Sequence, residues 1–227
     1  MKNLVIAIDG YSSTGKSSIS KIIAKKLNLI HLDTGALYRG ITLYALENCF
    51  ENQEINLIKL YSEFHKINLE FRNENGEMVL YLNEKNISKE IREQRISDNV
   101  SLIAKQKEVR DFLLDIQRKM AEKGGVIMDG RDIGTVILPH ADFKFFLTAS
   151  PEERARRRFL EMQELNLETD LETVKENLLS RDKIDSEREV SPLKQADDAI
   201  LVDNTNLNKE ETINYILEKI EKLQEIL

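Results

Sequence analysis

The chain predicts an α/β fold with a mainly parallel sheet, and two observations carry that prediction. Short, nearly continuous apolar runs end in polar or glycine turns, as strands buried on both faces do. They are Leu4-Val5-Ile6-Ala7-Ile8, Val126-Ile127-Met128, Phe143 to Leu147 and Ala199-Ile200-Leu201-Val202. Stretches with helical spacing separate these runs, which is the alternation of a sheet covered by helices.

The elements follow in order. Leu4 to Ile8 stops at Asp9-Gly10, and from Lys16 the apolar residues Ile19, Ile22, Ile23 and Leu27 recur at helical intervals. Leu29-Ile30-His31-Leu32 reads as a second strand. Between the first run and Val126 the pattern changes. Ile67, Leu69 and Phe71 alternate with polar residues, Asn73-Glu74-Asn75-Gly76 supplies turn chemistry, and Met78, Leu80 and Leu82 alternate again. This is an antiparallel hairpin with one wet face, a small lobe over about residues 62–92. No linker-like or low-complexity tract and no repeat sets it apart, so residues 1–227 read as a single domain. At the C-terminal end Ile213, Ile216, Leu217, Ile220, Leu223 and Leu227 form one helical stripe, with Asn208 as N-cap and Glu211 completing a capping box. The polar face of that helix is rich in Glu, so it packs on the core rather than on a membrane.

Composition narrows the function classes. The 227 residues carry a formal net charge of −7, which argues against a nucleic-acid backbone or an anionic membrane as partner. Cys49 is the only cysteine, so neither an intrachain disulfide nor a Cys-rich zinc site can form. The apolar opening is far shorter than the ~18 residues of a membrane span. A cytoplasmic protein is expected, and a monomer.

Gly10-Tyr11-Ser12-Ser13-Thr14-Gly15-Lys16-Ser17 fits G-x-x-x-x-G-K-[ST], directly after a predicted strand and before a predicted helix. In such a loop, with Ser18 following, glycines let the backbone wrap a phosphate. Lys16 neutralises transferring charge, and the Ser17 hydroxyl can ligate magnesium. The competing reading, a glycine turn capping a helix beside an incidental lysine, has to explain strand, spacing and helix together. Asp33-Thr34-Gly35-Ala36-Leu37-Tyr38-Arg39 would present a hydroxyl and a guanidinium at a strand end, where ligands of open α/β sheets gather, or would simply start a capped helix. Asp129-Gly130-Arg131-Asp132 ends another strand. Asp129 stands where a Walker B acid holds magnesium, Arg131 offers a planar fork to phosphate, and Asp132 offers an acceptor. A tight turn with a local Arg–Asp pair is the alternative there. Arg154, Arg156, Arg157 and Arg158 form a basic cluster that could pair along a wet face with Glu152, Glu153 and Glu161 or clamp phosphate. Arg181, Asp185 and Arg188 share one face if their stretch is helical.

With these pieces placed, nearly the whole chain resembles the bacterial cytidylate kinase family, P-loop nucleoside monophosphate kinases that phosphorylate CMP and dCMP with ATP. The resemblance rests on Asp33 to Arg39, Ser101 with Arg110, Asp129 to Thr135 and Arg181 to Arg188. It implies a P-loop NTPase-type core with a parallel sheet flanked by helices, a small antiparallel β insert that binds the acceptor, and a mobile helical lid at about 154–188. It also implies ATP as donor and Mg2+ as cofactor. Thr34, Arg39, Arg131 and Arg188 would then contact the acceptor phosphate, and Arg181 and Asp185 the acceptor ribose or its phosphate. Ser101, Arg110 and Asp132 would read cytosine, and Arg154, Arg157 and Arg158 would cover ATP. The catalytic set would be Lys16, Asp129, Arg131 and Arg188. The loop departs from the family's commoner Gly-Pro-Ala-Gly-Ser-Gly-Lys-Ser-Thr at Tyr11-Ser12-Ser13-Thr14 and Ser18, and Asn204 and Asn206 stand in the segment near the adenine pocket. The rivals are a P-loop kinase of another nucleoside monophosphate or small acceptor, and a nucleotide-binding switch protein. The latter is disfavoured because Arg181-Asp182-Lys183-Ile184-Asp185 lacks the Asn and the spacing of an Asn-Lys-x-Asp guanine reader.

Overall fold

In the structure, a computed structural model that describes residues 4–165 and 167–224, the chain divides into two units. The first holds the residues up to His31 and those from Lys123 onward, and the second holds Leu32–Glu122. In chain order the chain forms β1 (Val5–Gly10), α1 (Lys16–Leu27) and β2 (Ile30–Asp33), within which the division falls. Then come α2 (Thr34–Asn48), β3 (Phe50–Glu51), β4 (Glu54–Ile55), α3 (Leu57–Ser62), β5 (Leu69–Glu74), β6 (Glu77–Leu82), β7 (Lys85–Asn86), α4 (Gln94–Ala104) and α5 (Lys107–Ala121). The chain returns through β8 (Val126–Gly130), a π-helical turn over Ile133–Ile137, β9 (Phe143–Thr148), α6 (Pro151–Glu164), α7 (Leu171–Glu187), β10 (Ile200–Asp203) and α8 (Lys209–Gln224).

The main sheet has the order β10-β9-β1-β8-β2, with β1 parallel to both β8 and β9 and β10 parallel to β9. A central strand has no wet face, which is why β1 reads as an unbroken apolar run. It continues through Asp9 and Gly10, where the sequence predicted a stop, because both residues still pair: Asp9 with Gly130, and Gly10 with Leu147. At Gly10 φ is 146°, and a Cβ built there would lie 2.0 Å from the Leu147 carbonyl oxygen, so only glycine allows this approach.

The core of the first unit joins Ile6 and Ile8 of β1 to Ile19 and Ile23 of α1, Phe145 of β9 and Ile213, Ile216 and Ile220 of α8. The capping box of α8 is present in both directions, Glu211 N–H to Asn208 Oδ1 at 2.9 Å and Asn208 N–H to Glu211 Oε2 at 2.8 Å. The expected stripe ends sooner than predicted. Leu223 is exposed, one turn beyond the last buried isoleucine, and Leu227 lies outside the described residues. Helices α6 and α7 share a small core of their own, Ala155, Met162, Val174 and Leu178.

In the second unit α2, α4 and α5 pack with the predicted hairpin around Leu37, Ile41, Leu80, Ile96, Ile103 and Leu113. The hairpin pairs Leu69 with Leu82 and Glu74 with Glu77. Its strands reach further into the expected turn because Asn75 and Gly76, at φ 54° and 88°, close it in two residues. The two-residue strands β3, β4 and β7 were not predicted; segments this short carry no period to read.

Candidate active site

The phosphate loop folds as its residue types require. Ser13 and Gly15 sit at φ 59° and 86°, and Gly15 caps α1. Thr14 Oγ1 donates to the Tyr11 carbonyl at 3.0 Å, Asn204 Nδ2 donates to the Thr14 carbonyl at 2.9 Å, and Ser18 Oγ donates to the Gly15 carbonyl at 3.0 Å. Lys16 is buried and folds back so that Nζ donates to the Tyr11 carbonyl at 2.5 Å. Burial, then the charge of Arg131, pushes the Lys16 ammonium well below its usual range.

Opposite the loop, Asp129 at the end of β8 accepts from Ser17 Oγ at 2.7 Å through Oδ2 and meets His31 Nε2 at 2.6 Å through Oδ1. His31 was not singled out from the sequence. The one available signal was its strand parity with Asp33, two residues on, which places a polar side chain on the same face of β2.

The next residues settle the local-pair alternative. Arg131 pairs with Asp185 rather than with Asp132: its Nε donates to Asp185 Oδ2 at 3.0 Å, and its Nη2 donates to Ser12 Oγ at 2.7 Å. Asp132 is buried with Arg188 Nη2 at 3.6 Å. The turn that carries this pair of residues is fixed from below by Asp9, whose two carboxylate oxygens accept from the Ile133 and Gly134 N–H groups at 2.8 and 2.7 Å. Burial outweighs those donors and pushes the Asp9 carboxyl up to about 7.

The arginine cluster divides sharply. Arg154 is 4% exposed, with Nε on the Ala149 carbonyl at 3.0 Å and Nη1 on Asp182 Oδ2 at 2.5 Å. Arg157 reaches Asn204 Oδ1 and its carbonyl at 3.0 and 2.8 Å while pairing with Glu153. Arg156 and Arg158 pair with Glu153 and Glu161 of their own helix. Helix α7 holds Arg181 and Asp185, whereas Arg188, expected on the same helical face, is its C-cap in extended conformation. The helix stops there, and Arg188 still lies 3.7 Å from Asp185 Oδ1. Beside the loop, Gly15, Ile19, Arg157 and the segment Asn204 to Asn208 line a pocket of about 420 Å³.

The remaining predicted residues belong to the second unit. Asp33 caps α2 by accepting from the Ala36 N–H at 3.2 Å, as the capped-helix reading has it, and lies 3.7 Å from Arg39 Nη1. Thr34 is buried at the first turn of α2 and Ser101 is buried on α4. Arg110 of α5 is buried, with Nη1 on the Ala104 carbonyl at 3.1 Å and its guanidinium 5.2 Å from the centre of the Tyr38 ring.

Comparison with known proteins agrees with this arrangement. The cytidylate kinase family model matches residues 6–222. A cytidylate kinase of Fusobacterium nucleatum subsp. nucleatum is 48% identical over 99% of this chain and 100% of its own length. One from Streptococcus pneumoniae (strain 70585) is 45% identical over 98% of this chain and 99% of its own. Among solved structures, an uncharacterized protein from Eubacterium ventriosum ATCC 27560 shares the fold, with a TM-score of 0.51, 13% identity and coverage of 97% of this chain and 99% of its own. A phosphate loop at the end of a central parallel strand, with an acid from β8 and arginines from the turn after β8 and from α6, thus meets a family match over nearly the full length, and the chain belongs to the cytidylate kinase family.

Proposed function

We propose that the chain transfers the γ-phosphoryl group of ATP to CMP or dCMP, giving ADP and CDP or dCDP, in line and without a covalent enzyme intermediate. The observation that carries this reading is the gathering of cations on one loop. Lys16 is buried on the Tyr11 carbonyl, and Arg131 and Arg154 both donate to Ser12. An ammonium whose charge is disfavoured by burial is a site waiting for an anion, and a triphosphate there would restore its charge.

Positioning and charge stabilisation then carry the catalysis. Loop residues Gly10 to Ser18 cradle the donor phosphates, Lys16 and Arg131 meet the migrating phosphoryl group, and Arg188 joins Arg131, Thr34 and Arg39 on the acceptor phosphate. Arg181 and Asp185 serve the acceptor ribose or its phosphate. The pocket beside Asn204 takes the donor base, and Arg154, Arg157 and Arg158 belong to a lid over about 154–188 that closes on ATP. The acceptor insert spans about 62–92 of a single kinase domain. Magnesium suits the donor set: a hydroxyl and a carboxylate, Ser17 and Asp129, lie in contact as hard oxygen ligands. Among the described residues no cluster of three or more His, Cys, Asp or Glu could hold a metal, which fits an ion that is completed by phosphate oxygens and water. When bound, it neutralises phosphate charge.

Cytosine shows an amino donor at N4 beside acceptors at N3 and O2, so its reader needs a carboxylate and a cationic donor. The carboxylate of Asp132 and the guanidinium of Arg110 fill those roles in this proposal, and the Ser101 hydroxyl is a third reader. Among the described residues no helix is long and apolar enough to cross a membrane, and the net charge of −7 suits small nucleotides rather than nucleic acid. A coupled assay with ATP and each of the four ribonucleoside monophosphates tests the reading. CMP should have the highest kcat/KM, and a higher value for AMP, GMP or UMP overturns it.

A further inference from the structure

Ser12 touches two guanidinium groups through two different atoms. Its hydroxyl accepts from Arg131 Nη2 at 2.7 Å, and its carbonyl accepts from Arg154 Nη1 at 3.4 Å. The two arginines differ in what else holds them. Arg154 is fixed by the Ala149 carbonyl, by Asp182 and by the Tyr11 ring, 5.0 Å from its guanidinium carbon. Arg131 has one strong partner besides Ser12, Asp185 on its Nε, and one long contact from Nη1 to the Gly130 carbonyl at 3.4 Å. A guanidinium tied at Nε alone can still turn its outer nitrogens about the Nε–Cζ bond. A second tie at Nη2 fixes the plane.

We propose that the Ser12 side chain is a positioning residue for Arg131: its hydroxyl pins the outer nitrogen of the guanidinium at the phosphate loop before the nucleotides arrive. The role in transfer rests on the phosphotransfer reading above. A charge already in place when the phosphoryl group migrates needs no reorganisation at that moment, and small misplacements of such a group are costly in rate. Ser12 thus contributes twice, by its backbone to the loop and by its hydroxyl to an arginine brought from β8.

The test is a double-mutant cycle of Ser12→Ala and Arg131→Met, read by kcat with saturating ATP and CMP and by the calorimetric Kd for ADP. The guanidinium 15N signals of Arg131 and Arg154 add a substrate-free readout. Ser12→Ala should lower kcat about tenfold and leave the ADP Kd within about twofold, because the loop backbone is unchanged. In the Arg131→Met background it should add less than about a twofold loss. Rotation of the Arg131 guanidinium should quicken while that of Arg154 stays as it was. An unchanged kcat overturns the proposal, as does an equal loss without Arg131 or a parallel loss of ADP affinity, which would mark a distorted loop. Should the wild-type chain not phosphorylate CMP, the transfer reading falls by itself, and the substrate-free signals decide whether Ser12 holds Arg131.

Discussion

Guanidinium groups lie wholly or largely buried in both units, and they are seated differently. In the first unit Arg131, Arg154 and Arg188 lie against Asp185, Asp182 and Asp132, carboxylates that come from α7 and from the strand-end turn. In the second, Arg110 rests on a neutral carbonyl and over an aromatic face. The first arrangement holds charge ready and demands that phosphate compete with acids. The second seats a cation against a carbonyl dipole and a ring face. Lys16 and Arg131 of the first unit should govern the rate of transfer, and base choice should draw on Arg110 of the second unit and Asp132 of the first.

The comparison breaks first at Lys16. Lys16→Met should lower kcat about 10²–10³-fold, the usual cost of removing one donor to developing charge, with the circular dichroism of the fold unchanged. Near-wild-type turnover in a folded variant would remove the phosphate loop from the chemistry.

Next is stability against pH, which should report the buried charge of the first unit. Asp9 has its carboxyl raised from 3.8 to about 7 by burial, so the native state binds this proton more tightly than the unfolded chain. Its contribution is complete below about pH 4 and is lost as pH rises through 7. Measured by urea unfolding, the stability of the wild type relative to Asp9→Asn should fall by roughly 2–3 kcal/mol between pH 5 and pH 8. A difference that grows with pH would mean that the Ile133 and Gly134 N–H groups win over burial.

Selectivity sharpens the comparison from both sides, since the proposed base readers are Arg110 of the second unit and Asp132 of the first. Uracil places a carbonyl and a protonated N3 where cytosine has its amino group and bare N3, and each buried mismatch costs ~1–3 kcal/mol. Arg110→Met should weaken CMP about tenfold or more in KM, while the ADP Kd stays unchanged. Asp132→Asn should lose CMP activity and narrow the CMP to UMP ratio. A wild-type ratio in both folded variants would make these residues structural. The smallest effect belongs one turn away on the same helix: Lys107 is exposed and pairs with Asp111 at 2.5 Å, so Lys107→Ala should shift stability by less than ~0.5 kcal/mol and leave CMP KM alone.

Much of the first unit was legible in the sequence because its strands are buried on both faces and its loop motif sits between a strand and a helix. The capping box of α8 follows from residue types at fixed spacing, and Ser17 and Asp129 were each singled out from their own motifs although their contact was not. The partners of the arginines were not legible. Arg131 takes Asp185, 54 residues away, and Arg154 takes Asp182, 28 away, and no local pattern encodes which acid a guanidinium finds. His31 went unnoticed for the same reason, since its contact with Asp129 exists only once β2 lies in the sheet. The π-helical turn over Ile133–Ile137 was also hidden, and the Asp9 carboxylate that accepts from its first two N–H groups lies more than 120 residues away in sequence.

Gly10 has a consequence for how the gene can drift. Every missense change at this codon adds a Cβ, and the obstacle it meets is the carbonyl oxygen of Leu147, part of a neighbouring strand rather than a side chain that could turn aside. Relief would require β1 and β9 to separate at the point where the phosphate loop begins. A library of variants selected for growth on this enzyme should therefore return glycine alone at position 10, while Gly76, whose added Cβ would meet open space, tolerates at least asparagine.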